Sequence, residues 1–459
     1  MEKNFDVVIV GGGLTGLSAA HFLVKRDPGL KIGIVEKEAR TGGAIQTFRR
    51  DGYQAEWGPH GFLNNTEESL ALLRDLGLDR EMQTAPLGDF RRFICFGGKL
   101  EPLPQSPKML LSTPLLSLPG KLRLLADLWK KPRMEDQTIG AWAAYRFGAG
   151  VLPMVDVAVT GTFAGDLHRL SIDAVMPGVR RLEKEAGSLL RGVIKKKKTA
   201  PSGARGLPAM INFPAGMERF TDLLAAEGKG DLMLSTTVTE LGRDDDGWLV
   251  GTDHDSLRAP RLVIALPVNA SLRLLGKLDQ PPVAEVPTAR IANVVMGYGR
   301  EARVPRGFGY LAPETEGRFA LGAMFSSHMF PDRCPEGHVL LEALVGGRRH
   351  PERLELDDQE MISRVYDDIS RLMPLPAPPV FTAVLRSAGA IPQLEMDHPA
   401  LLEWRCAAEK KFSGLHVCGF GWDGIGMNDV IKSAARAAEA LLAEKRPESG
   451  EAPVKPVYF

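Results

Sequence analysis

Short apolar runs and segments with helical periodicity alternate along the chain, and this pattern predicts an α/β protein. The apolar, β-branched run 6–10 predicts a strand, 17–25 predicts a helix, and 31–35 predicts a second buried strand. A further helix is predicted near 67–76, before a turn-rich stretch with adjacent glycines at 97 and 98. The chain therefore begins with a strand–helix–strand unit.

The middle of the chain has a helical pattern, and a mixed pattern returns after it. Residues 109–190 are densely periodic, and the segment 195–206, which begins with four lysines, is predicted to be an exposed linker. A strand at 415–418 and a glycine-rich turn precede a closing helix at 427–443. The elements predicted between these segments are a helix at 216–226 and strands at 238–241, 248–251, 261–266, 291–297 and 339–345.

Composition and charge narrow the class of protein. The 57 basic and 57 acidic side chains balance, which argues against a nucleic acid as the main partner. The four cysteines are far apart and form no Cys-x-x-Cys pair, so no metal site or disulfide framework is predicted. The start has no secretory signal pattern, and no apolar run is long enough to span a bilayer. We therefore expect a cytoplasmic protein.

A glycine-rich turn follows the first strand, and its context makes it a candidate nucleotide-binding turn. Gly11, Gly13 and Gly16 have the spacing Gly-x-Gly-x-x-Gly between a predicted strand and a predicted helix. Glu36 ends the second strand, where an acidic side chain can accept hydrogen bonds from a ribose. The positive end of the helix would face a pyrophosphate. The alternative is a tight turn without a ligand.

Two further glycine-rich regions decide between FAD and NAD, which share this turn. Residues 40–47 and 56–61 follow Glu36, and their glycines let the backbone approach a long ligand. Residues 418–429 open the closing helix and supply a second helix N-terminus. Because both regions lie outside the strand–helix–strand unit, they predict FAD as the cofactor.

Motifs along the whole chain carry a family resemblance. The chain resembles the flavin amine-oxidase superfamily and, within it, the oxygen-dependent protoporphyrinogen and coproporphyrinogen III oxidases of haem synthesis. The motifs shared with the superfamily are the glycine turn 11–16 and the segments 40–43, 56–59 and 424–429. The motifs more specific to the porphyrinogen oxidases are 161–166 with 170–172, 307–313 and 391–393.

The resemblance assigns a set of residues to FAD, most of them through backbone contacts. His60 is expected to contact the flavin rather than to act as a base. The assigned residues are Gly11, Gly12, Gly13, Leu14, Thr15, Gly16, Glu36, Lys37, Ala44, Gly58, Pro59, His60, Gly61, Val238, Ile425, Gly426 and Met427.

The resemblance also implies where a porphyrinogen would lie. Arg92 would face a propionate, and the macrocycle would pack on Phe308, Gly309, Leu311 and Leu344. Gly161, the candidate catalytic residue, would place its backbone carbonyl near the ring and steady positive charge during oxidation. By residue pattern alone, Arg92 could be a surface arginine, and Phe308 and Leu311 could be core residues.

The activity implied by the resemblance is oxidation of protoporphyrinogen IX to protoporphyrin IX. Removing six electrons takes three flavin cycles, with oxygen as the acceptor and hydrogen peroxide as the product. Three alternatives stay open: a coproporphyrinogen III oxidase of the same family, another flavin amine oxidase or desaturase, and a non-enzymatic binding protein similar to GDP-dissociation inhibitors. The expected partners are the porphyrinogen and oxygen, with no nucleic acid.

The expected architecture is a Rossmann-like FAD-binding domain, a substrate domain and a helical lobe, the first two discontinuous in sequence. Segment 110–129 is rich in apolar residues, lies between prolines and is followed by two lysines. It could therefore be an interfacial helix or a buried one. Peripheral membrane contact and a homodimer are therefore hypotheses. The predicted boundaries are 1–84, 208–270 and 405–445 for FAD binding, 85–207 for the helical, membrane-associating lobe, 271–404 for the substrate domain and 446–459 for the tail.

Overall fold

The computed structural model describes residues 2–88, 90–199, 207–228 and 230–443. The α-helices are Leu14–Arg26, Glu67–Asp75, Pro107–Ser112, Leu118–Leu124, Ile139–Phe147, Leu152–Phe163, Ile172–Val175, Pro177–Ala186, Leu189–Thr199, Glu218–Glu227, Val268–Leu275, Ser326–Met329, Asp358–Ser370, His398–Lys411 and Met427–Leu442. Short 3₁₀ helices are Leu78–Arg80, Leu125–Leu128, Ala149–Val151, Glu314–Glu316, Pro331–Arg333 and Pro351–Glu355.

A parallel sheet of five strands lies at the centre of one half of the molecule. Its strands are, in spatial order, Asp231–Met233, Ile32–Val35, Val7–Val10, Arg261–Ile264 and Leu415–Val417. Val7–Val10 and Ile32–Val35 are buried on both faces, which explains why their sequences are uninterrupted apolar runs. The strands come from the N-terminal, middle and C-terminal parts of the chain.

Each face of the parallel sheet is covered by a different layer. Helices Leu14–Arg26 and Met427–Leu442 pack on one face, in a core that contains Ile9, Leu17 and Val430. A mixed four-stranded sheet covers the other face. Its side chains Trp248, Val250 and Leu257 pack in the core between the two sheets. The strands of that sheet are, in spatial order, Glu2–Asn4, Ser256–Ala259, Gly247–Thr252 and Val238–Asp244.

A seven-stranded mixed sheet forms the second half of the molecule. Its strands are, in spatial order, Phe381–Arg386, Ile291–Tyr298, Val339–Gly346, Gly322–Met324, Gly307–Leu311, Arg91–Phe96 and Lys99–Pro102. Helix Asp358–Ser370 packs on one face, in a core that includes Met361, Val365 and Val345. Smaller sheets pair Phe62–Leu63 and Gln83–Pro86 with Ala209–Asn212, Thr47–Arg50 with Tyr53–Glu56, and Thr288–Ala289 with Ile391–Pro392.

The helical lobe is built around an apolar core and a separate cluster of buried charges. Ile139, Trp142 and Phe163 belong to the apolar core. In the charged cluster, Arg146 is fully buried and donates to Asp127 at 2.9 Å and to Glu183 at 2.7 Å. Further bonds to these carboxylates come from Arg180, Trp142 and Ser188. The cluster ties three helical segments together, Leu125–Leu128, Ile139–Phe147 and Pro177–Ala186.

The predicted α/β fold is confirmed, and two details of the prediction are wrong. The first helix begins at Leu14 rather than at residue 17, because Gly13 is its N-cap and the turn runs straight into the helix. The four lysines at 195–198 belong to helix Leu189–Thr199 rather than to a linker, and 200–206 lie outside the described residues. The predicted domain boundaries stay a prediction.

The segment 110–129 is not one buried helix. It contains the end of helix Pro107–Ser112, then Leu118–Leu124 and the 3₁₀ helix Leu125–Leu128, and it exposes several large apolar side chains. Pro114 lies between the two short α-helices, and Pro119 lies in the first turn of the second, where a proline is tolerated. Among the described residues, no helix combines the length and the apolar character needed to cross a bilayer.

Candidate functional site

The glycine turn lies at the carboxyl edge of the parallel sheet. Gly11 has a φ of 112°, and a Cβ atom there would lie 2.8 Å from the Ala265 carbonyl oxygen. A Cβ atom at Gly16 would lie only 1.9 Å from the Gly11 carbonyl oxygen. Both glycines are therefore required by the close approach of helix and strand.

No contact among the described residues explains why residue 13 is a glycine. Its φ is −76°, and a Cβ atom there would meet nothing closer than Gly43, at 3.8 Å. Gly13 is the N-cap of helix Leu14–Arg26, which has neither a side-chain cap nor an acidic residue in its first turn. This open helix N-terminus fits a ligand phosphate that approaches the backbone.

Glu36 is held beside the turn by backbone groups. Its carboxylate accepts the Gly12 N–H at 2.7 Å and the Glu38 N–H at 2.9 Å, and the side chain is buried. Each carboxylate oxygen has a second lone pair that can accept a ribose hydroxyl. The Thr236 N–H donates to the Glu36 carbonyl, so residue 236 lies beside Glu36. Val238 follows two residues later and begins strand Val238–Asp244. Lys37 is exposed and pairs with Glu38.

The C-terminal glycine segment meets the same edge of the sheet. A Cβ atom at Gly419, which has a φ of 125°, would lie 2.5 Å from the Leu266 carbonyl oxygen. Gly11 and Gly419 therefore press against neighbouring peptides of one strand end. Helix Met427–Leu442 follows, with Gly426 as its N-cap and the Gly426 N–H bonded to Asp429. Two helix N-termini thus lie near one edge, and the second has the Asp429 carboxylate in its first turn.

The two N-terminal glycine segments pack beside this edge. The Gly42 N–H donates to the Gly12 carbonyl at 3.0 Å, so 40–43 lies against the turn. A Cβ atom at Gly58 would lie 2.2 Å from the Ala44 carbonyl oxygen, and Gly61 has a φ of 155°. Pro59 and His60 lie between these two glycines and are part-buried.

These features fit a bound FAD. Gly13 leaves room that a side chain would fill, the helix start lacks a cap, and Glu36 faces the turn at the end of its strand. The chain would hold the pyrophosphate at Leu14 and Thr15, and the adenosine ribose at Glu36. The glycine segments 40–47, 58–61 and 419–427 surround the place where the rest of a long dinucleotide would extend.

The residues assigned to the substrate share one face of the seven-stranded sheet. Successive strand residues face opposite sides, and Phe93, Tyr310 and Ala343 belong to the core under helix Asp358–Ser370. Arg92, Leu311 and Leu344 therefore lie on the opposite face. Phe308 shares an apolar cluster with Met324, which lies on that same face. The structure thus brings these side chains together.

Gly309 is a glycine for a structural reason. Its φ is 139°, and a Cβ atom would lie 2.2 Å from the Ala323 carbonyl oxygen on the neighbouring strand. The pairing with the Arg91–Phe96 strand is irregular between Gly307 and Gly309, which allows Phe308 to turn toward the same face as Leu311.

Gly161 lies in the last turn of helix Leu152–Phe163, directly against this face. A Cβ atom there would lie 2.6 Å from Leu311 Cδ1. Ala164 ends the helix with a φ of 46°, and its carbonyl accepts the Arg348 N–H at 2.8 Å. Gln393 Nε2 donates to the Phe163 carbonyl at 2.9 Å. These bonds fix the helix end at which Gly161 presents its carbonyl.

His60 forms a buried ion pair with Glu342. The distance between His60 Nε2 and Glu342 Oε2 is 2.9 Å, and Ser326 Oγ donates to the other carboxylate oxygen at 2.6 Å. Burial lowers the pKa of His60, but the charge and hydrogen bond of Glu342 outweigh it, so the pKa is raised. Burial raises the pKa of Glu342, yet His60, Ser326 and Asn293 bring it below its usual range.

The ion pair predicts a pH-dependent stability. The stabilisation by His60 is fully present at pH values below its usual pKa of about 6.5. It is lost as the pH rises through the raised pKa of the folded protein. Glu342 stabilises the fold at pH values above its usual pKa of about 4.5, and this stabilisation is lost at lower pH. Glu56 and Arg333 also face His60. We expect H60Q to cost about 1–3 kcal/mol near pH 6 and clearly less near pH 9.

Urea unfolding of wild type and H60Q at the two pH values measures this difference. The control is H254Q, because His254 is 63% exposed and lies 3.9 Å from Asp253, where solvent screens the charges. An H60Q effect that is the same at both pH values would show that His60 is not charged in the folded protein.

The sequence reasoning missed Glu342, Asn293 and the charged cluster around Arg146. One signal was available: Glu342 is the only charged residue in the apolar strand Val339–Gly346. A charge in such a strand must find a buried partner. The partner, His60, is 282 residues away in sequence, so only the fold pairs them.

Residues 14–442 match the family described as flavin containing amine oxidoreductase. The coproporphyrinogen III oxidase of Staphylococcus aureus is 28% identical, over 96% of this chain and 99% of that protein. The chloroplastic protoporphyrinogen oxidase of Nicotiana tabacum is 28% identical, over 95% of this chain and 85% of that protein. The resemblance stated from the motifs is thereby confirmed.

The fold is also similar to solved structures. The crystal structure of a protein from Exiguobacterium sp. 255-15 covers 96% of this chain, with a TM-score of 0.76 and 22% identity. The family match spans the glycine turn's helix, the seven-stranded sheet and the whole of the closing helix. The chain therefore belongs to the flavin containing amine oxidoreductase family and is an FAD-dependent oxidoreductase, as its sequence predicted.

Proposed function

We propose that this enzyme oxidises a porphyrinogen, with protoporphyrinogen IX as the first candidate substrate. The observation that carries the proposal is the shared sheet face, on which Leu311, Leu344 and Phe308 lie together with one arginine, Arg92. Apolar walls with a single cation suit a flat apolar macrocycle that carries carboxylates. The names of the two relatives described above support the same substrate class.

The chain's own residues would bind and orient this substrate. Leu311, Leu344 and Phe308 would exclude water and support the ring, and the Arg92 guanidinium would pair with a propionate. The Gly161 carbonyl, in the last turn of its helix, would lie near the ring and stabilise the positive charge that develops as electrons leave. FAD, when bound, supplies the two-electron acceptor, and oxygen is the proposed final acceptor.

Coproporphyrinogen III is the second candidate substrate. The relative from Staphylococcus aureus is named for coproporphyrinogen III and the plant relative for protoporphyrinogen. Coproporphyrinogen has four carboxylates where protoporphyrinogen has two. Among the residues assigned to the substrate, Arg92 is the one arginine, and it could pair with a carboxylate of either substrate.

An assay with both porphyrinogens tests the proposal. Each is given aerobically to the FAD-loaded enzyme, and porphyrin fluorescence and hydrogen peroxide are followed together. We expect at least one of the two to be oxidised, with a higher kcat/KM for protoporphyrinogen IX. A higher value for coproporphyrinogen III would reassign the substrate within the class, and inertness toward both would refute the proposal.

Arg92 provides a sharper test of the substrate face. We expect R92A to raise KM about tenfold or more with a smaller change in kcat, because a charged hydrogen bond contributes about 1.5–3 kcal/mol to binding. R92K should recover part of the loss, since lysine retains the charge but loses the planar fork. Steady-state kinetics measures both constants.

The neighbouring Arg91 is the matched control. It is exposed and lies on the same strand, one residue from Arg92 and therefore on the other side of the sheet. R91A should leave KM unchanged. If R92A and R91A have the same KM as wild type, Arg92 does not contact the substrate.

The helical lobe carries an exposed apolar stripe that supports peripheral membrane contact. Leu118, Leu122, Leu125 and Trp129 are spaced for one helix face and are 75%, 71%, 50% and 76% exposed. The exposed Lys108 and Lys131 lie before and after this stripe in sequence. Apolar residues flanked by lysines suit an anionic membrane surface. We propose this contact as the way the enzyme would reach an apolar substrate.

Vesicle sedimentation tests the membrane contact. Wild type should bind vesicles that contain anionic lipid, and the double variant L118S/L122S should lose most of this binding. The exposed Val380, which is outside the lobe, gives the control V380S. Equal binding by wild type and L118S/L122S would refute the contact. If instead the double variant turns a dimer into a monomer, the stripe is a subunit interface.

A further inference from the structure

The amide of Asn293 is a buried polar group whose two ends have different surroundings. Asn293 lies in strand Ile291–Tyr298 and is 4% exposed. Its Nδ2 is 2.6 Å from Glu342 Oε2, 3.3 Å from the Glu56 carbonyl oxygen and 3.2 Å from His60 Nε2. Its Oδ1 is buried and has no hydrogen-bond partner among the described residues.

The orientation of this amide is fixed by its neighbours. Nδ2 faces a carboxylate and a carbonyl, and both of these groups can only accept hydrogen bonds. A flipped amide would place its oxygen against two other oxygens, and the one N–H near it among the described residues, on His60 Nε2, is already donated to Glu342. The His60 N–H donates to Glu342 and helps to keep that carboxylate ionised, so the orientation is locked. Oδ1 must therefore face away from Glu342 and Glu56.

No donor among the described residues lies within hydrogen-bond distance of Oδ1. Leu344 and Leu385 are its cross-strand neighbours, and Ile291 and Val295 flank it on the same face of the strand. None of these side chains has an N–H or O–H group. A buried acceptor without a donor is costly and rare in folded proteins, so a donor from a bound molecule is expected at this position.

We propose that Asn293 is a positioning residue for FAD, and that its Oδ1 accepts a hydrogen bond from a ring N–H of the flavin. The amide is anchored to Glu56 and Glu342, and Glu342 in turn holds His60 of the glycine segment 58–61 assigned to FAD. A flavin ring has an N–H at N3 in both redox states and gains one at N5 on reduction. The inference rests on FAD dependence and not on the identity of the substrate.

The variant N293L removes the acceptor with little change in side-chain volume. We expect FAD to bind at least tenfold more weakly to this variant in one or both redox states. The readouts are the dissociation constants of oxidised and reduced FAD and the midpoint potential of the bound flavin, none of which requires a substrate.

The control variant is S326A. Ser326 donates to the other oxygen of Glu342, so its loss weakens the same cluster without touching the Asn293 carbonyl. A role that merely supports Glu342 would make N293L and S326A behave alike. The proposal predicts that S326A keeps the wild-type affinities and potential.

The measurements also identify the N–H. Equal weakening of both redox states, with an unchanged potential, assigns N3–H. A tenfold weakening of reduced FAD alone, which lowers the potential by about 30 mV, assigns N5–H. Unchanged affinities and an unchanged potential in N293L would overturn the proposal and leave a buried water as the donor.

A change in the cofactor keeps the test independent of the variant's folding. Wild-type apoprotein is reconstituted with FAD methylated at N3, which cannot donate from that position. If N3–H is the donor, the methyl group weakens binding to wild type and adds no further loss in N293L. If N5–H is the donor, the methylated FAD still shows a lower potential in N293L than in wild type. An additive loss in affinity with equal potentials would contradict both assignments.

Discussion

The variant G13A is expected to lose FAD affinity by about ten- to hundredfold while its apoprotein remains nearly as stable as wild type. A Cβ atom at Gly13 meets nothing in the chain closer than 3.8 Å, and the backbone φ of −76° suits any residue. The methyl group would instead stand between the helix start and the pyrophosphate. Such overpacking costs about 1–3 kcal/mol, which corresponds to this loss of affinity.

Gly16 gives the contrast that makes this prediction specific. A Cβ atom at Gly16 would lie 1.9 Å from the Gly11 carbonyl oxygen, so G16A must disturb the chain itself. We expect G16A to lower both apoprotein stability and FAD affinity, and G13A to lower only the affinity. Isothermal titration with FAD and urea unfolding of the apoproteins separate the two. A G13A variant that binds FAD like wild type would exclude the pyrophosphate from this turn.

The variant R146L is expected to destabilise the protein by about 3–5 kcal/mol, because it leaves two buried carboxylates without their common cation. Arg146 is fully buried, and it bonds Asp127, Glu183 and the Lys130 carbonyl. Arg180 and Trp142 would still bond Glu183, so the loss falls chiefly on Asp127. Urea unfolding followed by circular dichroism measures the effect.

An exposed arginine serves as the control for this variant. Arg74 pairs with Glu67, but both side chains are more than half exposed, so R74A should change stability by less than about 1 kcal/mol. If R146L is as stable as wild type, the buried cluster does not hold the helical lobe together. A destabilised R146L that still binds FAD at low temperature would place the effect in the lobe alone.

The sequence predicted the fold best where local pattern and burial agree. The strand Val7–Val10 and the helix that follows it could be predicted because a parallel strand buried on both faces is a continuous apolar run. The position of Glu36 beside the glycine turn could be predicted from its place after the second strand, and its contact with FAD stays a prediction. The start of the first helix was missed by three residues, because Gly13, an N-cap without a side chain, gives a weak start signal.

The interior of the site could not be predicted, because its partners are far apart in sequence. His60 and Glu342 are separated by 282 residues, and Asn293 joins them from the strand beside that of Glu342. Which face of each strand is buried under helix Asp358–Ser370 also depends on the sheet order. The motifs assigned Arg92 and Gly161 to the substrate. Only the contact between Gly161 and Leu311 shows that Gly161 lies against the sheet face that carries Arg92.

We propose that this chain transfers electrons from a porphyrinogen to FAD held at the glycine turn. Mixing the FAD-loaded enzyme with each porphyrinogen in the absence of oxygen, while recording flavin absorbance and porphyrin fluorescence, tests it most directly. We predict that the flavin absorbance bleaches on mixing and that admitting oxygen restores it and lets porphyrin accumulate. A flavin that stays oxidised with both porphyrinogens would contradict the account.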